Sequence, residues 1–353
     1  MADGVFSKLD ESLQKALEER NWVPTPVQSV TQEEIASGGD RLIVAPTGSG
    51  KTMAAMLPLL DRCLKTGWKG MSILYITPLR ALNRDVDRRL DEITSAVGLR
   101  LGLRHGDTSQ SERNKQVRNP PNVMITTPET FQIMFTGSKL RELLRDVQAV
   151  VIDELHEMAD GERGWQLSVG ISRLESFIGR KVQKIGLSAT IGNPEQVAKW
   201  LSQDAESINA VAPRSTELTV DAVIQMPEDE IGSLELAISP RAHATLRGLA
   251  EVISNNSPCL VFVNSRNSAE TVSQRLQAIA PDLSIGVHHG SLAKETRTQM
   301  ENELREGKLQ GLVCTSSLEL GIDVGSVNHI VQIRSPRSVD RMLQRVGRAD
   351  HRL

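Results

Sequence analysis

The chain has 353 residues, enough for two hydrophobic cores, since a single core stops growing below that length. Its 39% hydrophobic and 24% charged residues are ordinary globular values, and a net charge of −3 excludes binding to nucleic acid by bulk charge, leaving local patches. Aromatic residues at 3% exclude a broad platform of stacked bases. Cys63, Cys259 and Cys314 lie far apart without metal-ligand spacing, so buried thiols in a reducing compartment are expected. A polar, acidic N-terminus without a signal peptide, and no apolar run of membrane-spanning length, predict a soluble cytoplasmic protein with no membrane partner.

Val5, Phe6, Leu9, Leu13, Ala16 and Leu17 recur at helical spacing and predict an amphipathic opening helix that ends near Asn21. Trp22-Val23-Pro24-Thr25-Pro26 reads as a stiff turn, and a second helix begins at Gln28 and stops at Gly38-Gly39. Arg41-Leu42-Ile43-Val44 reads as a buried strand. Behind it stand Ala45-Pro46-Thr47-Gly48-Ser49-Gly50-Lys51-Thr52 and then good helix formers, Met53 to Leu57. Strand, glycine-bearing loop and helix N-terminus make a phosphate cradle. Gly48 and Gly50 allow torsions that let consecutive N–H groups of the loop, those of Thr47 and Ser49 included, turn toward one anion. Lys51 is expected on the β- and γ-phosphates, and the Thr52 hydroxyl on Mg²⁺. A bare glycine turn is the competing reading, and the flanking strand and helix argue against it.

Further strands are expected at Ser72–Thr77, Leu99–Leu103, Val123–Thr126, Ala149–Ile152 and Ile185–Leu187, with helices including Leu79–Val97 and Trp165–Phe177. Strands alternating with helices imply a parallel sheet covered on both faces. This unit closes near Trp200-Leu201. A polar, irregular stretch with Pro213 and Pro227-Glu228-Asp229-Glu230 follows. Alternation resumes with strands at Cys259–Val263, Ser284–Val287, Gly311–Cys314 and His329–Ile333 and helices at Ala269–Ile279 and Lys294–Glu306. The expected architecture is α/β, with one domain over residues 1–210 and a second over 211–353. One phosphate loop serving two α/β units predicts a nucleotide in the cleft between them.

Val150-Val151-Ile152-Asp153-Glu154-Leu155-His156 is an apolar strand ending in two carboxylates and a histidine, and ligand groups at the C-terminal ends of parallel strands belong in the active crevice. Asp153 is expected to hold Mg²⁺ through its water shell, and Glu154 to deprotonate the attacking water. Ser188-Ala189-Thr190 ends another strand, where a hydroxyl is expected to hydrogen-bond His156. Near the C-terminus Arg334, Arg337 and Arg341 precede Gln344-Arg345-Val346-Gly347-Arg348. A solvated basic face is the bland reading. An arginine finger stabilising the transferred γ-phosphoryl, Arg348 in particular, is the functional one.

Taken together these segments resemble a superfamily 2 helicase core, and their details are most similar to the large helicase-related family of prokaryotes. Ala45–Thr52 resembles motif I, Asp153-Glu154-Leu155-His156 the DExH form of motif II, and Ser188-Ala189-Thr190 motif III. Gln28 stands where the family reads adenine. Thr77 to Asn83, Arg104 to Thr108 and Thr126 to Glu129 resemble the strand-contacting segments of the first domain. In the second, Val261 to Arg266 resembles motif IV, His288 to Ser291 the segment after it, and Thr315 to Asp323 motif V.

The resemblance implies two RecA-like domains that use ATP and Mg²⁺ to step along one nucleic-acid strand. Gly321, Asp323, Arg345 and Arg348 would join the nucleotide contacts. Arg80, Arg104, Thr127, Pro128, Asn264, His289 and Thr315 would hold single-stranded nucleic acid, with DNA favoured over RNA, in DNA repair, by a monomer. Asp350 and His351 depart from the family pattern, and the sequence stops at motif VI, as in a truncated core. An ATPase clamp that separates no strands and a non-hydrolysing nucleic-acid-binding scaffold are the other readings.

Overall fold

The computed structural model describes residues 4–46, 48–78, 90–159, 161–210, 217–318, 327 and 329–346. The chain divides into two compact units, Met1–Pro213 and Arg214–Leu353. Among the described residues no helix is long and apolar enough to cross a membrane, and the three cysteines are buried outside any disulfide.

The first unit opens with α1 (Glu11–Glu18), shorter than the apolar spacing suggests. Asp10 sets its start, because its side chain accepts a hydrogen bond from Ser12 N–H while its own N–H is anchored to Asp61. Next comes α2 (Pro26–Ala36), then β1 (Arg41–Val44) and α3 (Lys51–Thr66). The remaining strands are β2 (Ile73–Ile76), β3 (Leu101–Arg104), β4 (Val123–Thr126), β5 (Ala149–Ile152), β6 (Gln183–Ser188) and β7 (Glu206–Asn209). They form one parallel sheet in the order β3-β4-β2-β5-β6-β1-β7.

The central strands are buried on both faces, which is why they read as unbroken apolar runs. One face packs under α2 and α3 through Ile43, Ile73, Val151 and Ile185. The other packs under the helix Glu162–Ile178 through Leu42, Leu74, Val150 and Leu174. Of the helix expected over residues 79–97, residues 90–96 are helical and 79–89 lie outside the described residues.

The second unit carries β8 (Cys259–Phe262), β9 (Ile285–His288), β10 (Gly311–Cys314) and β11 (His329–Gln332), all parallel, in the order β11-β8-β10-β9. Its core lies on both faces of β8 and β10. The stretch beginning at Pro227 is not irregular. It is the helix Pro227–Glu235, which packs on the helix Pro240–Asn255. Asp229, with no exposed surface, fixes that pair by accepting from Arg247 at 3.0 Å and lying 2.8 Å from His243 Nδ1.

Candidate functional site

The sheet order of the first unit divides its C-terminal crest in two. β1, β6 and β5 stand side by side and end in the phosphate loop, in Ser188 and in Asp153. β2, β4 and β3 continue the same edge and end near Thr77, Thr127 and Arg104. The residues read as nucleotide contacts thus occupy one half of the crest, and those read as strand contacts the other.

In the phosphate loop Gly50 has φ +89°, and a Cβ there would stand 2.8 Å from Gln28 Nε2 and 3.1 Å from Thr25 Oγ1. The torsion favours glycine, and a Cβ would also push the Gln28 amide from its place. Gln28 is buried against this loop, its Oε1 accepting from Trp22 Nε1–H at 3.1 Å and from Thr25 N–H at 3.2 Å. Lys51 Nζ donates to the carbonyls of Ala45 at 2.6 Å and Pro46 at 3.0 Å, in its own loop. The Thr25 and Ser49 hydroxyls are buried there without a hydrogen-bond partner. Orphaned hydroxyls around a glycine turn at a helix N-terminus suit a polyanionic guest.

At the end of β5 Asp153 accepts on Oδ2 from the Tyr75 hydroxyl at 2.8 Å and on Oδ1 from Glu154 N–H at 3.0 Å. Burial first, then the adjacent Glu154 carboxylate, pushes the Asp153 carboxyl up to about 7. Burial and the Asp153 charge also raise Tyr75 well above its ordinary value, so the phenol stays protonated as a donor. The Thr52 hydroxyl lies 3.5 Å from the same Tyr75 oxygen, which places both proposed Mg²⁺ ligands around one phenol. A carboxylate and a hydroxyl are hard oxygen donors, and few protein ligands with room for waters fit Mg²⁺.

Glu154 has φ +47°, a left-handed conformation uncommon for a residue with a side chain. Its Oε2 is buried without a hydrogen-bond partner. His156 Nδ1 is 3.6 Å from that oxygen and accepts from Ala189 N–H at 3.4 Å. A ring nitrogen that accepts carries no proton, so this approach is not an ion pair, and Glu154 keeps acceptor capacity for a water. The link from His156 to the Ser188–Thr190 segment therefore runs through a backbone amide. The Ser188 hydroxyl, expected in that role, donates instead to Ala189 O at 2.9 Å.

Thr127 caps the helix Pro128–Met134, accepting from Thr130 N–H at 3.3 Å, with Pro128 as its first residue. Arg163 ties this helix to the end of β2, donating to Glu129 at 2.9 Å and Pro78 O at 3.2 Å. Arg104 is buried and donates to Gln116 Oε1 at 3.1 Å, so it faces the interior rather than solvent. In the second unit Asn264, His289 and Thr315 follow β8, β9 and β10, three neighbouring strands. Asn264 is exposed and donates to Ser335 O at 2.9 Å. His289 is buried with Nε2 2.7 Å from Glu270 Oε1, and Thr315 Oγ1 is 3.4 Å from Ser317 Oγ. Arg345, expected on the nucleotide, is instead sunk into its own unit, 1% exposed, with its guanidinium over the Phe262 ring and bonded to Gln332. Thr47, Arg80, Gly321, Asp323 and Arg348 lie outside the described residues. Tyr75 went unread in the sequence, where an aromatic inside Ile-Leu-Tyr-Ile looks like core filling. Its only signal is that the chain has no other tyrosine.

The chain is similar to known proteins along most of its length. The DEAD/DEAH box helicase family model matches residues 25–197, and that of the helicase conserved C-terminal domain matches residues 244–352. A Lhr helicase/probable uracil glycosylase of Mycolicibacterium smegmatis is 36% identical over 94% of this chain and 25% of its own length. The ATP-dependent helicase Lhr-Core protein 2 of Thermococcus barophilus is 36% identical over 93% of this chain and 40% of its own. The chain thus spans between a quarter and about two-fifths of these relatives. The structure of Mycobacterium smegmatis helicase Lhr bound to single-stranded DNA and AMP-PNP superposes with TM-score 0.80 at 34% identity, over 99% of this chain and 47% of that one. With both helicase models matched in order along two parallel α/β units, the chain belongs to the DEAD/DEAH box helicases of superfamily 2, in the Lhr group.

Proposed function

We propose that this chain is the motor of an ATP-dependent helicase that moves along single-stranded nucleic acid. The observation that carries the reading is the shared crest of the first unit, with Lys51, Thr52, Asp153 and Glu154 beside the strand ends that bear Thr127 and Pro78. Gln28 is assigned to adenine. Gly48, Gly50 and Lys51 are assigned to the phosphates, and Thr52 and Asp153 to the cation. Bound Mg²⁺ would neutralise charge on the β- and γ-phosphate oxygens. Glu154 takes the proton of the attacking water, since its Oε2 is buried yet unpartnered. Arg348 is assigned to the charge that develops in transfer. His156 and the Ala189 amide pass the state of the phosphate site to the end of β6.

Contacts from Thr127, Pro128, Asn264 and Thr315 reach phosphate and sugar more readily than base edges, so binding is sequence-blind. DNA is the favoured strand, because the Lhr structure that resembles this chain holds single-stranded DNA. The pairing of helicase with uracil glycosylase in relatives' names supports a setting in DNA repair. The protein acts as a cytoplasmic monomer in this reading, its two units being sufficient for one ATP cycle.

The test is ATP turnover against single-stranded DNA, duplex DNA and single-stranded RNA, followed by strand displacement. Stimulation by single strands with displacement is expected. Stimulation without displacement identifies a clamp, and no phosphate release overturns the enzymatic reading. Glu154→Gln is expected to hold its strand more tightly with ATP than without it.

A further inference from the structure

Tyr75 is completely buried on β2, on the sheet face that packs under α3. Phenylalanine would fill the same volume. The hydroxyl is therefore the part that needs a reason, because burying it is costly unless it is bonded. Its bonds run to the two residues read as cation ligands, 2.8 Å to Asp153 Oδ2 and 3.5 Å to Thr52 Oγ1. We propose that Tyr75 is the positioning residue of the divalent-cation site, its hydroxyl fixing Asp153 and Thr52 so that their oxygens face Mg²⁺. The inference rests on the assignment of those two residues to the cation.

The hydrogen-bond order supports it. In its ionised form, the one that would hold a cation, Asp153 only accepts, so Tyr75 donates to it and the Tyr75 oxygen is left to receive the Thr52 proton. A threonine hydroxyl that points its hydrogen at Tyr75 turns its lone pairs the other way, as a metal ligand must. Asp153 is held by one donor on each oxygen, Tyr75 on Oδ2 and Glu154 N–H on Oδ1, which stops the carboxylate from rotating. Each oxygen keeps a further lone pair for a cation or its waters. Mutation of groups that orient ligands in this way typically lowers metal affinity about 10–100-fold.

Tyr75→Phe keeps the ring and removes one oxygen. Affinity for a fluorescent ATP analogue is measured in EDTA and across a Mg²⁺ series. The Mg²⁺ concentration that half-completes the metal-linked tightening is expected to rise about 10-fold or more, with metal-free affinity unchanged. A change under about twofold overturns the proposal, as does an equal loss of metal-free and metal-linked affinity, which would mark a packing role alone. The second readout is independent of turnover. Because the chain has a single tyrosine, 3-fluorotyrosine labelling gives one ¹⁹F resonance. Mn²⁺ with nucleotide is expected to broaden that resonance in the wild type and to leave it sharp in Asp153→Asn. A wild-type resonance that stays sharp overturns the proposal. If the wild type shows no metal-linked tightening at all, the nucleotide assignment itself fails and takes this inference with it. A wild type that tightens normally beside an unaffected Tyr75→Phe sinks only the role of Tyr75.

Discussion

Replacing Glu154 by glycine is expected to stabilise the first unit while ending ATP turnover. Glu154 sits at φ 47°, ψ 44°, a left-handed conformation that costs a residue with a Cβ about 1–2 kcal/mol. Glycine adopts it freely but loses about 0.5–1 kcal/mol more backbone entropy on folding. The same change removes a buried carboxylate oxygen that has no hydrogen-bond partner, a penalty of about 1–3 kcal/mol. The balance favours the variant by about 2 kcal/mol, and for a unit of this size each kcal/mol moves Tm by about 2–4 °C. A rise of about 4–8 °C is therefore expected for the first unit in nucleotide-free calorimetry. Glu154→Gln keeps the strained backbone and should recover less. If Glu154→Gly melts below the wild type, the idea that this position holds strain for the sake of chemistry is wrong.

Arg348→Ala should lower strand-stimulated turnover about 10³-fold or more and leave nucleotide affinity without a strand nearly unchanged. Equal losses of basal and stimulated rates would refute a finger that acts only with the strand bound. Because the Asp153 carboxyl is raised to about 7, Mg²⁺–nucleotide binding should release a proton near pH 6 and almost none near pH 8.5. Titration calorimetry in buffers of different ionisation heat measures this. The folded state also holds that proton where the unfolded chain has lost it. In the absence of nucleotide Asp153 should thus reduce stability as pH rises from about 4 to 7. Asp229 has the opposite sign. Arg247, then His243, lowers its carboxyl well below 3.8, so it stabilises the second unit above that value. Asp229→Asn should lower the melting temperature of that unit at neutral pH, with the gap to wild type narrowing on acidification below about pH 4.

The parallel sheets were legible because strands buried on both faces must be apolar throughout, as Ile73–Ile76 and Ala149–Ile152 are. The edge strand Glu206–Asn209 escaped notice because only one of its four residues is apolar. The helix Pro227–Glu235 reads as polar because its anchor is Asp229, and a buried salt-bridged carboxylate looks like surface until Arg247 and His243 are placed beside it. At the site, Lys51, Thr52, Asp153 and Glu154 were singled out by residue type, and the fold sets them at the ends of neighbouring elements of the first sheet. The Ala189 amide is invisible to such reading, since every residue but proline has one. Arg345 misleads for the converse reason. A guanidinium in a basic segment suggests phosphate, yet an aromatic face far away in sequence, Phe262, is where it lies.

Lys51 gives the phosphate loop an unusual resting condition. Its ammonium is already stripped of most water, 8% exposed, and stands on the Ala45 and Pro46 carbonyls. An arriving triphosphate therefore meets an ammonium that the protein, rather than a hydration shell, already holds. The dehydration of that cation belongs to folding, not to binding. In the proposed motor, which would load and discard a nucleotide at every step, that arrangement would favour turnover, with the stability of the first unit carrying the standing cost.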